Sequence, residues 1–89
     1  MPTISMFYGV IIYMFFFDNK KHHKPHIHAH YAGESAVIDI ENGEVLTGKL
    51  PNKKTKLVMA WIEIHKEELM ANWQLAIEGQ SIFQIEPLR

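Results

Sequence analysis

The chain has 89 residues, 47% of them apolar, which is enough for one small domain with a single core over residues 1–89. It contains no cysteine, which excludes disulfides and thiolate metal sites and suits a reducing compartment, so we expect a cytoplasmic protein. A net charge of −1 excludes a strong overall field for nucleic acid, and the apolar run at residues 6–17 is too short to span a membrane as a helix.

The N-terminal region is rich in β-branched and aromatic residues. Residues 4–8 and 10–17 are predicted to form two strands, or one long strand bent at Gly9. Both alternate faces of the second segment are apolar, which is more than one layer of helix can cover. We therefore expect a homodimer, or a complex with another small protein, that covers part of residues 6–17.

The next predicted strand carries a row of histidines. His26, His28 and His30 occupy every second position, and alternate side chains of a strand point to the same face. Such a row of imidazoles can bind a metal, exchange protons near neutral pH, or bind an anion when protonated. The sequence therefore indicates a place on the protein without fixing a reaction.

The remaining pattern predicts a hairpin followed by a helix. Residues 35–40 and 45–50 flank Asn42-Gly43, a strong hairpin signal. After residue 51 the apolar period becomes helical and continues to about residue 77, with Gly79 as a natural stop. A break near His65 would divide this helix into two, and we expect no strand between residues 52 and 76. The tail, residues 81–88, either adds an edge strand or packs against the domain.

These elements predict an α+β fold. We expect an antiparallel sheet of four or five strands, with a C-terminal helix or helix pair packed on one of its faces. On the helix, three polar residues fall inside the apolar arc, on one stripe with Trp61: they are His65, Glu68 and Asn72. Because buried polar groups need partners, we expect these three residues to bond to polar groups of the sheet. In particular, we expect His65 to lie within hydrogen-bonding or shared-metal reach of at least one polar side chain among Asp18, His26, His28 and Glu68.

If the strand and helix faces meet, they bring nitrogen and oxygen donors together. Such donors suit a divalent transition metal such as zinc, and the candidate ligands are His26, His28, His65 and Glu68. The same four side chains are candidates for metal-free acid–base cleavage of RNA or other phosphodiesters. The alternative is a buried hydrogen-bond network that fixes the helix on the sheet without any reaction.

A local cluster of positive charge makes nucleic acid a candidate ligand. Of the nine Lys and Arg residues, seven lie between residues 20 and 56, and among them Lys53 and Lys54 are candidates for phosphate contacts. A solvated surface is the simpler interpretation of the same cluster. No recognisable nucleic-acid-binding motif accompanies it.

Several blocks of the sequence, in the same order, resemble a short bacterial family called domain of unknown function 4160. They include residues 25–29, 43–46 and 48–51, and the resemblance extends from Met1 to about Trp73. It implies a small single-domain protein, often encoded beside another small protein, with no established activity. The positions that it carries over are Asp18, His26, His28, Trp61, His65, Glu68, Asn72 and Trp73.

Three functions follow from these observations. The resemblance implies a member of a toxin–antitoxin-like or regulatory pair, with a histidine-containing site. The first alternative is a metal- or acid/base-dependent enzyme acting on RNA or phosphodiesters. The second alternative is a structural module that binds a partner protein.

Overall fold

A computed structural model describes residues 2–17 and 23–89 of the chain. Over these ranges the chain forms five strands followed by two helices, as the sequence predicts. The strands are β1 Thr3–Phe7, β2 Val10–Tyr13, β3 His26–Tyr31, β4 Glu34–Asp39 and β5 Val45–Gly48. The helices are α1 Asn52–Ile64 and α2 Lys66–Ile77.

The sheet is an antiparallel meander in which each strand pairs with the one before it, in the order β1-β2-β3-β4-β5. Tyr8 and Gly9 both have positive φ, 49° and 82°, and form a two-residue turn between β1 and β2. This turn type matches the right-handed twist of the strands that it joins. The N-terminal segment is therefore a hairpin and not one strand bent at Gly9.

The predicted hairpin at Asn42 joins β4 to β5. The Asp39 carboxylate holds its loop, accepting hydrogen bonds from the Glu41 backbone N–H at 2.8 Å and the Asn42 side-chain amide at 3.2 Å. In β5, a Cβ on Gly48 would overlap the carbonyl oxygen of Ser35, and Gly48 has φ 75°. A side chain is therefore excluded where β5 approaches β4.

One face of the sheet forms the core. The register places Ile12 opposite Ala29, and both are fully buried. The Trp61 ring of α1 belongs to the same core and lies 5.3 Å from the Phe7 ring, centroid to centroid. The helices therefore cover this face, and the alternate residues of each strand lie on the opposite face.

The helical region is a pair of helices, because His65 has φ −110° and ψ 23° and lies between them. The interruption is local. His65 N–H still donates to the Trp61 carbonyl at 3.0 Å, and Leu69 N–H donates to the His65 carbonyl at 2.9 Å. The stripe formed by Trp61, His65, Glu68 and Asn72 therefore continues across the junction between α1 and α2.

The C-terminal tail packs against the domain without forming a strand. Gly79, with φ 73°, ends α2, and Gln80 N–H donates to the Leu75 carbonyl at 2.9 Å, closing the helix terminus. The tail then reaches β1, where Ile85 N–H donates to the Ile4 carbonyl at 2.8 Å. Neither helix in the described part of the chain is long and apolar enough to cross a membrane.

Candidate functional site

The histidine row forms as predicted, but His28 and His30 lie on the sheet face opposite the helices, so the expected meeting of the histidine face with the polar stripe of the helix is wrong for them. His28 lies between Tyr13 of β2 and Val37 of β4, and His30 lies beside Ile11 of β2. Both histidines are partly buried. His28 therefore lies between apolar neighbours, whereas His30 lies between Ile11 and the polar Ser35.

The environment of His26 is different, because His26 begins β3 at the end of the sheet that α2 reaches. Its side chain is buried, with 1% exposure, and its ring centroid lies 4.9 Å from that of Trp73 and 5.3 Å from that of His28. Its Nδ1 donates to the Lys24 carbonyl at 2.8 Å, which places the proton of the neutral ring on Nδ1. His26 thus links the histidine row to α2 through an aromatic contact.

The second pair of candidate residues lies at the junction of the helices. His65 Nδ1 donates to Glu68 Oε1 at 2.7 Å, and the His65 ring lies 5.7 Å from that of Trp61. The expectation that His65 bonds to one of four named side chains is confirmed, with Glu68 as the partner. Glu68 is 56% exposed, so the pair lies at the surface, where ion pairs contribute little to stability.

The four predicted metal ligands do not form one group. Within residues 2–17 and 23–89, no three histidine or carboxylate side chains are arranged to hold a metal ion. His26 and His28 form one pair and His65 and Glu68 another, so among the described residues these four side chains form neither the expected metal site nor the expected buried network between helix and sheet. Asp18, the remaining candidate of the site, lies outside the described residues. A catalytic role for either pair stays a prediction.

The other polar and aromatic residues of the stripe bind the tail. The Asn72 side-chain amide donates to the Phe83 carbonyl at 2.7 Å, and its Oδ1 accepts from the Phe83 N–H at 3.1 Å. The Trp61 indole N–H donates to the Glu86 carbonyl at 2.7 Å. The expectation of a partner on the sheet is wrong for Asn72, whose partners are main-chain groups of the tail. An amide supplies both a donor and an acceptor, which suits a main-chain partner; this was the available signal.

The two candidate lysines differ in their contacts. Lys54 Nζ donates to the Tyr8 carbonyl at 2.8 Å and lies 4.8 Å from the centroid of the Tyr31 ring. Lys54 therefore holds the β1–β2 turn against α1, and a cation over an aromatic face adds to this contact. Lys53 is exposed at the surface of α1. A phosphate contact by either lysine stays a prediction.

Part of the segment that we expect a partner to cover, residues 6–17, lies on the sheet face opposite the helices. The sheet face opposite the helices, called the outer face below, carries an apolar and aromatic cluster beside the histidine row. The Tyr13 and Phe15 rings stack at 6.3 Å, and Phe15 meets His28 edge-on at 4.5 Å. Met6, 63% exposed, is paired across the strands with Ile11. The signal for this cluster was the two-sided apolar pattern of residues 10–17.

Comparison with known proteins agrees with the resemblance noted in the sequence. A family model described as Domain of unknown function (DUF4160) matches residues 9–74. That range contains the histidine row and the stripe on the helices, and it leaves β1 and the tail outside. No curated protein and no solved structure matches the chain.

Proposed function

The chain belongs to the family described as Domain of unknown function (DUF4160), and from its geometry we propose that it is the partner-binding member of a small bacterial two-protein system. The system would be a regulatory or toxin–antitoxin-like pair in the cytoplasm. The partner would be a co-encoded small protein, bound on the outer face of the sheet.

The observation that carries this proposal is the apolar character of the outer face. Met6 and Ile11 lie side by side, and Tyr13 and Phe15 stack next to them, yet none of the four is buried. Contiguous exposed apolar surface marks interaction sites, and aromatic residues and Met are enriched at the centre of interfaces. A partner with an apolar centre fits this surface.

The polar groups near this cluster indicate which hydrogen-bonding groups the partner presents around its apolar centre. His30 lies on the same face as Ile11, its cross-strand neighbour, and is only partly buried. Imidazole N–H groups donate hydrogen bonds, so carboxylates or main-chain carbonyls around an apolar centre would complement them. The polar groups of Trp61 and Asn72, in contrast, are engaged by the tail.

The test is co-purification with the co-encoded neighbour, using two variants matched in exposure. Met6 on the outer face is 63% exposed and Ile64 at the end of α1 is 65% exposed. We expect Met6→Lys to weaken the complex by about tenfold or more, because a charge enters an apolar contact, and Ile64→Lys to leave the affinity unchanged. Equal effects of the two substitutions, or no complex, would contradict the proposal.

The same samples also test two other ligands for the outer face, a second copy of the chain and RNA. Sedimentation of the protein alone detects a homodimer, and a dimer that Met6→Lys dissociates would assign the face to a second copy. Bound nucleic acid and metal are measured in the purified complex. RNA that is lost with Met6→Lys would assign the face to RNA. Either result would overturn the proposal of a protein partner.

A second candidate function, acid–base cleavage of RNA, is favoured by the hydrogen bond between His65 and Glu68. A carboxylate that accepts from Nδ1 fixes the tautomer and orientation of an imidazole, as general bases require. The test is RNA cleavage by wild type and His65→Ala, with stability measured in parallel. If His65→Ala abolishes cleavage and keeps the stability of wild type, the result supports this function. If wild type does not cleave RNA and His65→Ala only lowers stability, the result contradicts it.

A further inference from the structure

The C-terminal tail, residues 80–89, lies in a groove between β1 and the helices, called the tail groove below. On the β1 side, the Ile4 carbonyl accepts from Ile85 N–H. On the helix side, Asn72 bonds to both main-chain groups of Phe83, and the Trp61 indole donates to the carbonyl of Glu86. The tail is therefore held through its main chain from both walls.

The tail repeats every three residues. Ile82, Ile85 and Leu88 pack against the core, and Ile85 is only 4% exposed. Between them, Phe83 is 70% exposed. The carbonyls that Asn72 and Trp61 bind belong to residues 83 and 86, which are also three apart.

A period of three is that of the polyproline II helix, which makes no internal hydrogen bonds and leaves its carbonyls to be bound by a partner. Grooves that bind such segments combine side-chain donors with slots for apolar residues at this spacing. The tail groove has both features: Trp61 and Asn72 supply the donors, and the core supplies the slots. Any extended segment can make the main-chain contacts that the tail groove offers. Selectivity between segments therefore depends on apolar residues at every third position.

We propose that the tail groove is a binding site for an extended segment of a partner protein, with apolar residues at every third position, and that the tail is its built-in competitor. This surface is separate from the outer face, and the inference does not depend on the function proposed there.

Two further observations support exchange of the occupant. Open clefts lie beside the tail, one lined by His65 and Leu88 and another by Leu75 and Phe83, so a second segment has room to approach the tail groove. In addition, the donors Trp61 and Asn72 lie within residues 9–74, which match the family model, whereas the tail lies outside them. The binding groups thus belong to the shared part of the chain and the present occupant does not.

The test measures binding of a fluorescent peptide with the sequence of residues 80–89 to full-length protein. Ile85→Ser in the protein weakens the attached tail and leaves the groove donors intact. We expect it to raise peptide affinity by about tenfold or more over wild type, because the lost burial of the side chain favours release of the tail. Adding Asn72→Ala to this variant should reverse most of that gain.

A matched peptide tests the spacing. Exchanging the residues of positions 85 and 86 keeps the composition but moves the central apolar residue out of the period of three. We expect this peptide to bind about tenfold more weakly than the native one. Equal binding of the two peptides, no gain with Ile85→Ser, or no effect of Asn72→Ala would each overturn the proposal.

A second variant covers the case in which Ile85→Ser does not fold. Phe83→Pro removes the N–H that Asn72 accepts from and changes an exposed position, so the core is kept. It should raise peptide affinity about threefold or more over wild type. Wild-type dimers that Phe83→Pro dissociates would instead assign the groove to the tail of a second copy and refute the proposal of a partner segment.

Discussion

The contact between Asn72 and Phe83 makes a quantitative prediction about how firmly the tail is held. Asn72→Ala removes two hydrogen bonds, and each contributes about 1 kcal/mol net. Both bonds are only part-buried, so we count each at its net value without a separate desolvation penalty. We therefore expect the free energy of unfolding to fall by about 2 kcal/mol, roughly thirtyfold in the folding equilibrium.

The assay is urea denaturation with linear extrapolation, and the control lies on the same helix. Gln74→Ala removes an exposed side-chain bond to Glu78, and it should cost less than about 0.5 kcal/mol. Hydrogen exchange gives a local measurement, in which the Phe83 amide should exchange faster in Asn72→Ala while the Leu69 amide within the helices changes less. A loss no larger than that of the control, or unchanged protection of Phe83, would refute this account of the tail.

Three further substitutions test other parts of the structure by the same denaturation assay. The Ser5 hydroxyl is buried without a hydrogen-bond partner among the described residues, so Ser5→Ala should raise stability by up to about 1 kcal/mol, and a fall would contradict this. Gly48→Ala should lower it by about 2 kcal/mol or more, because Gly48 combines positive φ with a close carbonyl; a neutral result would show that β5 can shift. Glu68→Gln should cost less than about 1 kcal/mol, since the pair with His65 is exposed, and a larger loss would give the pair a structural role.

The sheet and helices could be predicted because local patterns specify them. The alternation of His26, His28 and His30 fixed their common face, and the turn at Asn42 joined two strands as expected. The bond between His65 and Glu68 followed from their spacing on a helix, since residues three apart are neighbours there. Each of these predictions needed only residues close in sequence.

The features that could not be predicted depend on contacts between residues distant in sequence. Nothing local in the tail indicates that Phe83 returns to Asn72 or that Ile85 reaches Ile4. In the same way, the spacing of potential ligands could not show that His26 and His65 join different groups. That separation depends on where α2 lies relative to the end of the sheet.

The meander also has a consequence for the order in which the chain folds during synthesis. Each strand pairs with its predecessor, so the sheet can grow as the chain leaves the ribosome. One edge of β1 stays uncovered until residue 84 has been synthesised, because the Gln84 side chain bonds to the Thr3 carbonyl across 81 residues. Exposed strand edges invite pairing with other chains. A nascent chain in which residues 84 and 85 have not yet emerged therefore exposes this strand edge, and docking of the tail protects it against aggregation.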